Sequence, residues 1–289
     1  VLPGSTILSF GTAGCNLACK YCQNWEISTS RQFETLAAPA APRALAATAA
    51  DVGAAGVAFT YNDPIVFAEY AIDTAVACHE AGLLAVAVSA GWISPGPCDE
   101  LFGAVDAANI DLKGFTDDFY RRVTGGRLND VLDTLVRVRE LGTWLEITTL
   151  LIPGRNDSDD EIAAECAWIV SELGQEVPVH FSAFHPAHRM LDAPRTPAST
   201  LERARAIARD AGIAHVYLGN VRTRDGATTR CAGCGDLLVD RVGYRVADYR
   251  ITPDGACPRC GRHVPGIWDP AGPPPPTGQW WPQRVAIGA

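Results

Sequence analysis

Short runs of apolar residues alternate along the chain with longer segments in which apolar residues recur every three to four positions. The short runs predict buried strands at about 5–11, 56–60, 83–89, 107–112, 144–152, 177–184 and 215–218. The longer segments predict helices at about 42–54, 62–81, 128–141, 159–173 and 199–212. Strands that alternate with helices indicate βα units and a parallel sheet, so we predict an α/β fold.

Capping residues predict where three of these helices begin. Asn62 or Asp63 would cap the second helix, with Pro64 in its first turn, where proline is tolerated. Ser158 and Ser199 each precede a glutamate by three residues, which is the spacing of a capping box. The last two helices are therefore expected to begin at these serines.

The order and number of the βα units predict the type of sheet. About six units, with polar residues directly after the strands, predict a partial TIM-like (β/α)6 barrel whose site lies at the carboxyl ends of the strands. A doubly wound open sheet is the alternative, because periodicity alone does not separate the two folds. The 289 residues suffice for one such domain and a small appendage.

Composition and charge narrow the classes of function. The apolar fraction of 47% and the charged fraction of 20% are typical of a soluble globular protein, and the net charge of −9 argues against binding to nucleic acid. We find no apolar run of membrane-spanning length and no basic and then apolar leader, so a cytoplasmic location is the default expectation. The chain begins at Val1 and its one methionine is Met190, which indicates either a missing N-terminal segment or a non-standard start codon.

Most of the ten cysteines fall into two groups with the spacing of metal ligands, which fits a reducing compartment better than a disulfide framework. The first group is Cys15, Cys19 and Cys22. The second group is Cys231, Cys234, Cys257 and Cys260. The three single cysteines, which we expect to be buried and unreactive, are Cys78, Cys98 and Cys166.

The first group favours an iron–sulfur cluster. A tetrahedral zinc site would need a fourth ligand nearby, and the next cysteine is Cys78. In a cubane cluster each iron takes one outer ligand, so three thiolates leave the fourth iron open to a molecule that is not protein. Half of a zinc site and three buried thiols are the alternatives. The spacing, with Tyr21 just before the third cysteine, resembles the radical S-adenosylmethionine (SAM) superfamily, in which SAM chelates the open iron.

The second group has the form of a zinc ribbon. Two Cys-x2-Cys-Gly knuckles flank a strand-like stretch, and their four thiolates would close a tetrahedral site for Zn2+. An auxiliary iron–sulfur cluster and a redox dithiol are the alternatives. We predict a barrel over 1–228, a zinc ribbon over 229–268 and an irregular Pro-rich tail over 269–289. Trp280 and Trp281 are candidates for docking the tail on the barrel or on a partner.

Polar residues at the strand ends are candidates for holding SAM. Asn62 and Asp63 follow the second strand, where they could accept hydrogen bonds from the SAM amino group or only cap the helix. Asn109, Asp111 and Lys113 share one face of the fourth strand, so the acid and the amine would lie together in the site or form a salt bridge inside the barrel.

Two further strand ends carry candidates. Ser89 begins a turn of small residues after the third strand, and this turn would admit a ligand closely. His185 follows the sixth strand, where it could contact ribose, take part in proton transfer or serve only a structural role. We assign no catalytic nucleophile or general base, because the sequence shows no triad-like arrangement.

Longer motifs resemble one branch of the superfamily, the radical SAM enzymes of the AmmeMemoRadiSam system, which are relatives of the activating enzymes of pyruvate formate-lyase. The resemblance covers the chain to about Trp268, and members of this family usually have further sequence before the cluster motif. The motifs are CKYCQNWEIS (19–28), TYNDP (60–64), DLK (111–113), EITTLLIPGRNDS (146–158), FHP (184–186), VYLGN (216–220) and PGIW (265–268).

The resemblance implies the ligand set of a [4Fe-4S] cluster on the first three cysteines. Tyr21 would lie near the adenine of SAM, Asn62 and Asp63 would occupy the position that binds its amino group, and Asp111 with Lys113 would match the family's acid–lysine contact. Two departures stand out. Relatives commonly have Glu at the position of Asp63. Ala90 stands where relatives often have Asn, which weakens the assignment of the family's SAM contact to the neighbouring Ser89.

The resemblance also implies an activity. One electron from the reduced cluster would cleave SAM to methionine and a 5′-deoxyadenosyl radical, which would abstract hydrogen from an unidentified substrate. A flavodoxin or ferredoxin would donate the electron, and Memo-type and Ammecr-type proteins would be partners. The alternatives are a glycyl-radical-enzyme activase that acts on a protein backbone and a non-catalytic protein that docks through its zinc ribbon.

Overall fold

The computed structural model describes residues 1–30, 39–243, 245–274 and 283–287. Seven strands form one sheet in which every neighbouring pair is parallel and the spatial order follows the chain. The strands are β1 (Leu8–Phe10), β2 (Gly56–Phe59), β3 (Leu84–Ser89), β4 (Ala107–Asp111), β5 (Trp144–Leu151), β6 (Val179–Ala183) and β7 (Val216–Gly219).

The sheet has seven strands where a (β/α)6 barrel was predicted, and the order of the strands decides between the two candidate architectures. Six strands are each followed by a helical connection to the next. The strand predicted at 215–218 is β7, which adds a seventh strand with no helix between it and the next strand, so the count of six βα units is one strand short. A doubly wound sheet reverses its strand order at a switch point, and the described part of the chain shows no such reversal. Because β1 and β7 are the two edges of this sheet, the connectivity is that of an incomplete barrel.

Helices connect the strands. They are α1 (Trp25–Ser28), α2 (Pro42–Asp51), α3 (Ala68–Glu80), α4 (Pro95–Gly103), α5 (Asp117–Phe119), α6 (Leu128–Glu140), α7 (Asp159–Trp168) and α8 (Ala198–Asp210). A 3-10 turn over Pro64–Phe67 precedes α3, and π-helical turns over Tyr120–Thr124 and Ile169–Leu173 extend α5 and α7. The structure adds α1, α4 and α5 to the prediction, because such short segments hold few repeats of the helical period. Within the described ranges, none of these helices combines the length and the hydropathy that a membrane span requires.

The two predicted capping boxes have different outcomes. The Ser158 side chain accepts a hydrogen bond from the Glu161 amide at 3.3 Å, so this N-cap is confirmed. The Glu161 carboxylate instead accepts from the Phe115 amide at 2.8 Å, which ties α7 to the loop after β4. The predicted N-cap at Ser199 is wrong: the N-cap of α8 is Pro197, two residues earlier, and its φ of −66° lies in the range that proline fixes.

Alternation along the strands gives the sheet two different faces. Residues on the outer face are fully buried against the helices, and each such large apolar side chain contributes about 1.5–3 kcal/mol. Examples are Val57, Phe59, Ile110, Ile147 and Phe181. The alternate positions of β4 to β7 are only half-buried and include most of the polar residues of these strands. This inner face is therefore left open for a ligand.

A second, antiparallel sheet follows the barrel. It contains β8 (Thr229–Arg230), β9 (Leu237–Val242) and β10 (Arg245–Tyr249). Its small apolar core includes Leu238, Val239 and Ile251 together with two cysteines of the second group. The strand-like stretch predicted between the knuckles is thus a pair of strands. Trp280 and Trp281, the candidates for docking the tail, lie outside the described residues.

One buried carboxyl group makes the stability of the barrel depend on pH. Glu165 of α7 is 2% exposed and accepts a hydrogen bond of 2.5 Å from the Thr149 hydroxyl of β5. Burial raises the pKa of Glu165 to about 8, whereas a glutamate in the unfolded chain has a pKa of about 4.3. Because the folded-state pKa is the higher one, this contribution to stability is full below the unfolded pKa and is lost as pH rises to about 8.

We expect the free energy of unfolding to fall more steeply in the wild type than in Glu165→Gln between about pH 4.5 and 8. The extra slope is at most about 1.4 kcal/mol per pH unit, because one proton is involved. Urea unfolding at pH 5 and pH 8 measures it. Glu172→Gln, an exposed position near the same helix, is the control and should follow the wild type. An equal difference between wild type and Glu165→Gln at both pH values would contradict this prediction.

Candidate active site

The three cysteines of the first group lie in the loop after β1, which we call the cluster loop (residues 14–22), and line one cavity of about 280 Å³. The cavity opens at the carboxyl ends of the strands, as predicted. Burial raises the pKa of Cys19 to about 11, and Cys15 and Cys22 add to this shift through their charge. A nearby cation would therefore favour the thiolate form of Cys19, and all three cysteines line the cavity in which such a cation would bind.

Asn62 anchors the cluster loop from the end of β2. Its side-chain amide donates hydrogen bonds to the Gly14 carbonyl at 2.7 Å and to the Thr12 hydroxyl at 3.1 Å. Its Oδ1 atom accepts from the Thr12 amide at 3.0 Å. A Cβ at Gly11 would lie 2.6 Å from this oxygen, so glycine is required there. The side chain predicted to meet the SAM amino group thus holds the backbone next to Cys15.

The π-helical turn after α5 holds the other side of the loop. The amides of Ala18 and Lys20 donate to the carbonyls of Thr124 and Val123 at 2.8 and 2.9 Å. The Lys20 carbonyl accepts from the Arg189 amide at 2.8 Å. Three separate segments therefore hold the cluster loop by hydrogen bonds.

Asp63 and Ser89 line the cavity but already have protein partners. Asp63 is 4% exposed, and its carboxylate accepts from the Ile65 amide, the Ser89 hydroxyl at 2.9 Å and the Ala90 amide at 2.8 Å. Burial raises the pKa of Asp63, and these hydrogen bonds oppose the shift. The helix-capping role of Asp63 is confirmed, and the carboxylate also fixes the turn after β3. A contact of either residue with SAM stays a prediction.

Asp111 and Lys113 lie side by side in the same cavity, as the strand alternation predicts. The Lys113 Nζ atom donates to Asp111 Oδ2 at 2.5 Å. Burial has the largest effect and lowers the pKa of Lys113, but the charges of Asp111, Tyr21 and Cys19, together with the hydrogen bond to Asp111, raise it well above the usual value. Hydrogen bonds from the Lys113 amide to the Tyr120 hydroxyl and from Asn156 to the Lys113 carbonyl fix the backbone. The lysine therefore presents a permanent positive charge to the cavity.

The structure places Tyr21 at the cavity and His185 outside its lining. Tyr21 is 4% exposed, and its ring centroid lies 6.3 Å from that of Phe119. Its hydroxyl is buried without a hydrogen-bond partner among the described residues. His185 is half-buried and does not line the cavity that the cysteines share. Its roles in ribose contact and proton transfer remain predictions.

Sequence reasoning missed several polar residues of the cavity, three of which lie on or directly after the last three strands of the large sheet. Thr148 of β5, Ser182 of β6 and Asn220 after β7 all line it. The Thr148 hydroxyl donates to Asn109 Oδ1 at 2.8 Å, which links β5 to β4 across the inner face. The signal that could have found Thr148 and Ser182 is the same period-two alternation that predicted Asp111, applied to the next two strands.

The second cysteine group forms a compact set of four sulfur atoms. All four Sγ atoms lie within 4.8 Å of one another, with Cys231 to Cys260 at 3.6 Å and Cys234 to Cys257 at 3.7 Å. A tetrahedral zinc ion with Zn–S bonds of about 2.3 Å separates its sulfurs by about 3.8 Å. The thiolates of a cubane cluster each bond a different iron and lie farther apart. The spacing therefore suits one tetrahedral metal ion.

Comparison with known proteins identifies the family. Residues 10–166, more than half of the chain, match the family model of the Radical SAM superfamily. The uncharacterized protein MJ0808 of Methanocaldococcus jannaschii is 36% identical over 91% of this chain and 78% of its own length. The chain therefore belongs to the radical SAM superfamily, and this membership implies a [4Fe-4S] cluster and SAM.

More distant relatives include activating enzymes. The pyruvate formate-lyase-activating enzyme of Clostridium pasteurianum is 26% identical over 60% of this chain and 72% of its own length. Two solved structures share the fold. A domain of such an enzyme from Bacteroides vulgatus has a TM-score of 0.51 and 19% identity, covering 57% of this chain and 99% of its own. Streptococcus suis SuiB bound to S-adenosylmethionine has a TM-score of 0.60 and 10% identity, covering 75% of this chain and 51% of its own.

Proposed function

We propose that this chain cleaves SAM reductively, with Cys15, Cys19 and Cys22 as ligands of the [4Fe-4S] cluster. When bound, the reduced cluster supplies the electron that splits SAM into methionine and the 5′-deoxyadenosyl radical, which abstracts hydrogen from the substrate. The observation that supports this proposal is that all three thiols share one cavity with the polar ends of β2, β3 and β4.

The chain's own residues would bind and orient SAM. The permanent charge of Lys113 suits the SAM carboxylate, and Asp111 holds the ammonium group in place. Asn62 keeps the cluster loop in position, and Asp63 fixes the turn after β3, so both would act on SAM at least through the shape of the cavity. Tyr21 would contact the adenine, because its ring lines the cavity beside Cys22.

The test is anaerobic reconstitution with iron and sulfide, followed by dithionite and SAM. We expect 5′-deoxyadenosine and methionine in equal amounts, measured by liquid chromatography and mass spectrometry. A fully loaded protein that binds SAM but forms neither product would contradict the proposal. Reduced flavodoxin or ferredoxin should replace dithionite, because exposed cations at Lys20, Arg122 and Arg189 near the cluster loop suit an acidic donor.

The resemblance and the relatives each suggest a different set of partners, and the relatives also suggest a substrate. We propose membership of the AmmeMemoRadiSam system, with Memo-type and Ammecr-type proteins as partners, on the motifs quoted above. The similarity to pyruvate formate-lyase-activating enzymes favours instead a glycyl residue of a partner protein as substrate. A glycyl-radical signal in electron paramagnetic resonance after incubation with a candidate partner would favour the activase. The non-catalytic alternative predicts no SAM cleavage with any partner.

We also propose that the second cysteine group binds one structural Zn2+ in a ribbon over 229–268, next to a barrel over 1–228. Metal binding would provide much of the folding energy of so small a core.

We also propose a cytoplasmic location, because all ten cysteines are free and free thiols are typical of a reducing compartment.

We expect one zinc per chain in elemental analysis of a variant that lacks Cys15, Cys19 and Cys22, in which iron from the first site is absent. Adding Cys257→Ser should remove the zinc, because three thiolates no longer close the tetrahedron, and should lower the melting temperature. Cys98→Ala, which changes a buried cysteine of α4 instead, is the control and should keep the zinc. Iron in place of zinc would overturn this assignment in favour of an auxiliary cluster.

A further inference from the structure

A groove of about 410 Å³ lies between α8 of the barrel and the first cysteine knuckle, away from the SAM cavity. Its charged lining consists of four arginines and two carboxylates. The arginines are Arg205, Arg209, Arg230 and Arg262, and the carboxylates belong to Glu176 and Asp225. The groove therefore carries an excess of positive charge in a chain whose net charge is −9.

The four arginines differ in their partners within the described part of the chain. Arg262 pairs with Glu176 at 3.3 Å. Among the described residues, Arg205, Arg209 and Arg230 form no ion pair within 4.0 Å. The Nη1 atom of Arg205 is buried without any hydrogen-bond partner, although buried donors are nearly always paired. The described protein atoms therefore leave part of the hydrogen-bonding capacity of Arg205 unused, and its side chain lines the groove.

The arginines also repel one another. Burial lowers the pKa of Arg209, and the guanidinium groups of Arg205 and Arg230 lower it further, against the opposing charge of Asp225. An anion bound between these like charges would relieve their repulsion. The guanidinium group is planar and donates paired hydrogen bonds, so it matches the oxygens of phosphate better than a point charge does.

We propose that this groove is a binding site for a small oxyanion, either inorganic phosphate or the phosphoryl group of a small molecule. The volume lies in the range of small-molecule sites. Arg205 and Arg209 come from α8, whereas Arg230 directly precedes Cys231, so a bound anion would join the barrel to the ribbon. The net charge of −9 and the small number of arginines, all within one groove, argue against a nucleic-acid strand as the ligand.

The test uses the full chain in its metal-loaded state and titrates inorganic phosphate against chloride at equal ionic strength. We expect heat of binding in calorimetry and a melting temperature that rises with phosphate. Arg205→Gln and Arg209→Gln should each weaken phosphate binding about tenfold or more, because each removes charge-assisted hydrogen bonds. The control is Arg203→Gln, which removes an exposed arginine of the same helix that pairs with Asp159 at 2.6 Å. It should keep the wild-type affinity.

Two further measurements separate binding from folding. Without phosphate, Arg209→Gln should melt at least as high as the wild type, since the substitution relieves repulsion. Cluster content and SAM cleavage should be unchanged in Arg205→Gln, so failure of the phosphate proposal is distinct from failure of the proposed function.

Tighter binding of glycerol phosphate than of phosphate would identify a phosphorylated small molecule as the ligand. No phosphate-specific effect in the wild type, equal losses in Arg203→Gln, or binding of an oligonucleotide alone would overturn the proposal.

Discussion

Replacing Cys15, Cys19 or Cys22 singly by alanine is expected to abolish both the [4Fe-4S] cluster and the formation of 5′-deoxyadenosine. Each thiolate would bond a different iron, so one substitution removes a ligand that no nearby cysteine can replace. The three side chains line one cavity, and the Asn62 hydrogen bonds hold the loop that carries them. We therefore expect complete loss rather than a graded decrease.

Iron and sulfide analysis, the visible spectrum and product chromatography measure this result. The control is Cys78→Ala, which changes a fully buried cysteine of α3 far along the chain from the cluster loop. This variant should keep the cluster and the activity, with at most a modest loss of stability. Normal turnover by any one of the three cluster-loop variants would show that the first group is not the cluster ligand set.

Lys113→Arg is expected to keep the fold and the cluster but to weaken SAM binding and cleavage by about a hundredfold. The Lys113 side chain is 16% exposed and donates to Asp111 inside the cavity. A guanidinium group is broader than an ammonium group, so it would displace SAM, and a shift of about 1 Å can reduce a rate on the order of a hundredfold. Calorimetric SAM affinity and the rate of 5′-deoxyadenosine formation measure the effect.

The chain offers a matched control for this substitution. Lys20 and Lys113 are its two lysines among 24 lysine and arginine residues, and Lys20 is exposed on the cluster loop. Lys20→Arg should therefore bind SAM as the wild type does. SAM affinity and cleavage close to wild type in Lys113→Arg would show that Lys113 serves only as the salt-bridge partner of Asp111.

Local sequence patterns predicted some residues of the candidate site correctly and missed others. The spacing of the cluster cysteines is a local property, and the structure brings all three to one cavity. The same holds for Asp111 and Lys113, since alternation along one strand places them on one face. His185 was chosen because it follows a strand, but a position after a strand does not determine the direction of the side chain. Thr148 and Ser182 were missed because the alternation that predicted Asp111 was not applied to β5 and β6, where the side chains are neutral hydroxyls rather than charged groups.

Contacts between distant segments explain the remaining differences. The amide of Asn62 is directed to Thr12 and Gly14, 50 and 48 residues earlier, and Asp63 is directed to the turn at Ala90. No spacing rule connects these residues, because their proximity arises only when β1, β2 and β3 pair side by side. Tertiary structure thus gave two predicted SAM ligands a role in shaping the cavity.

By itself the sequence determined the α/β class, most strand and helix positions, and the two cysteine groups, because periodicity and ligand spacing are set over a few residues. Tertiary structure decided the sequential order of the seven strands, which left the doubly wound sheet out although the predicted strand positions allowed it. It also decided the arginine groove, whose residues come from α8 and the second sheet. Long-range pairing is fixed by packing of the whole chain, which a local pattern does not contain.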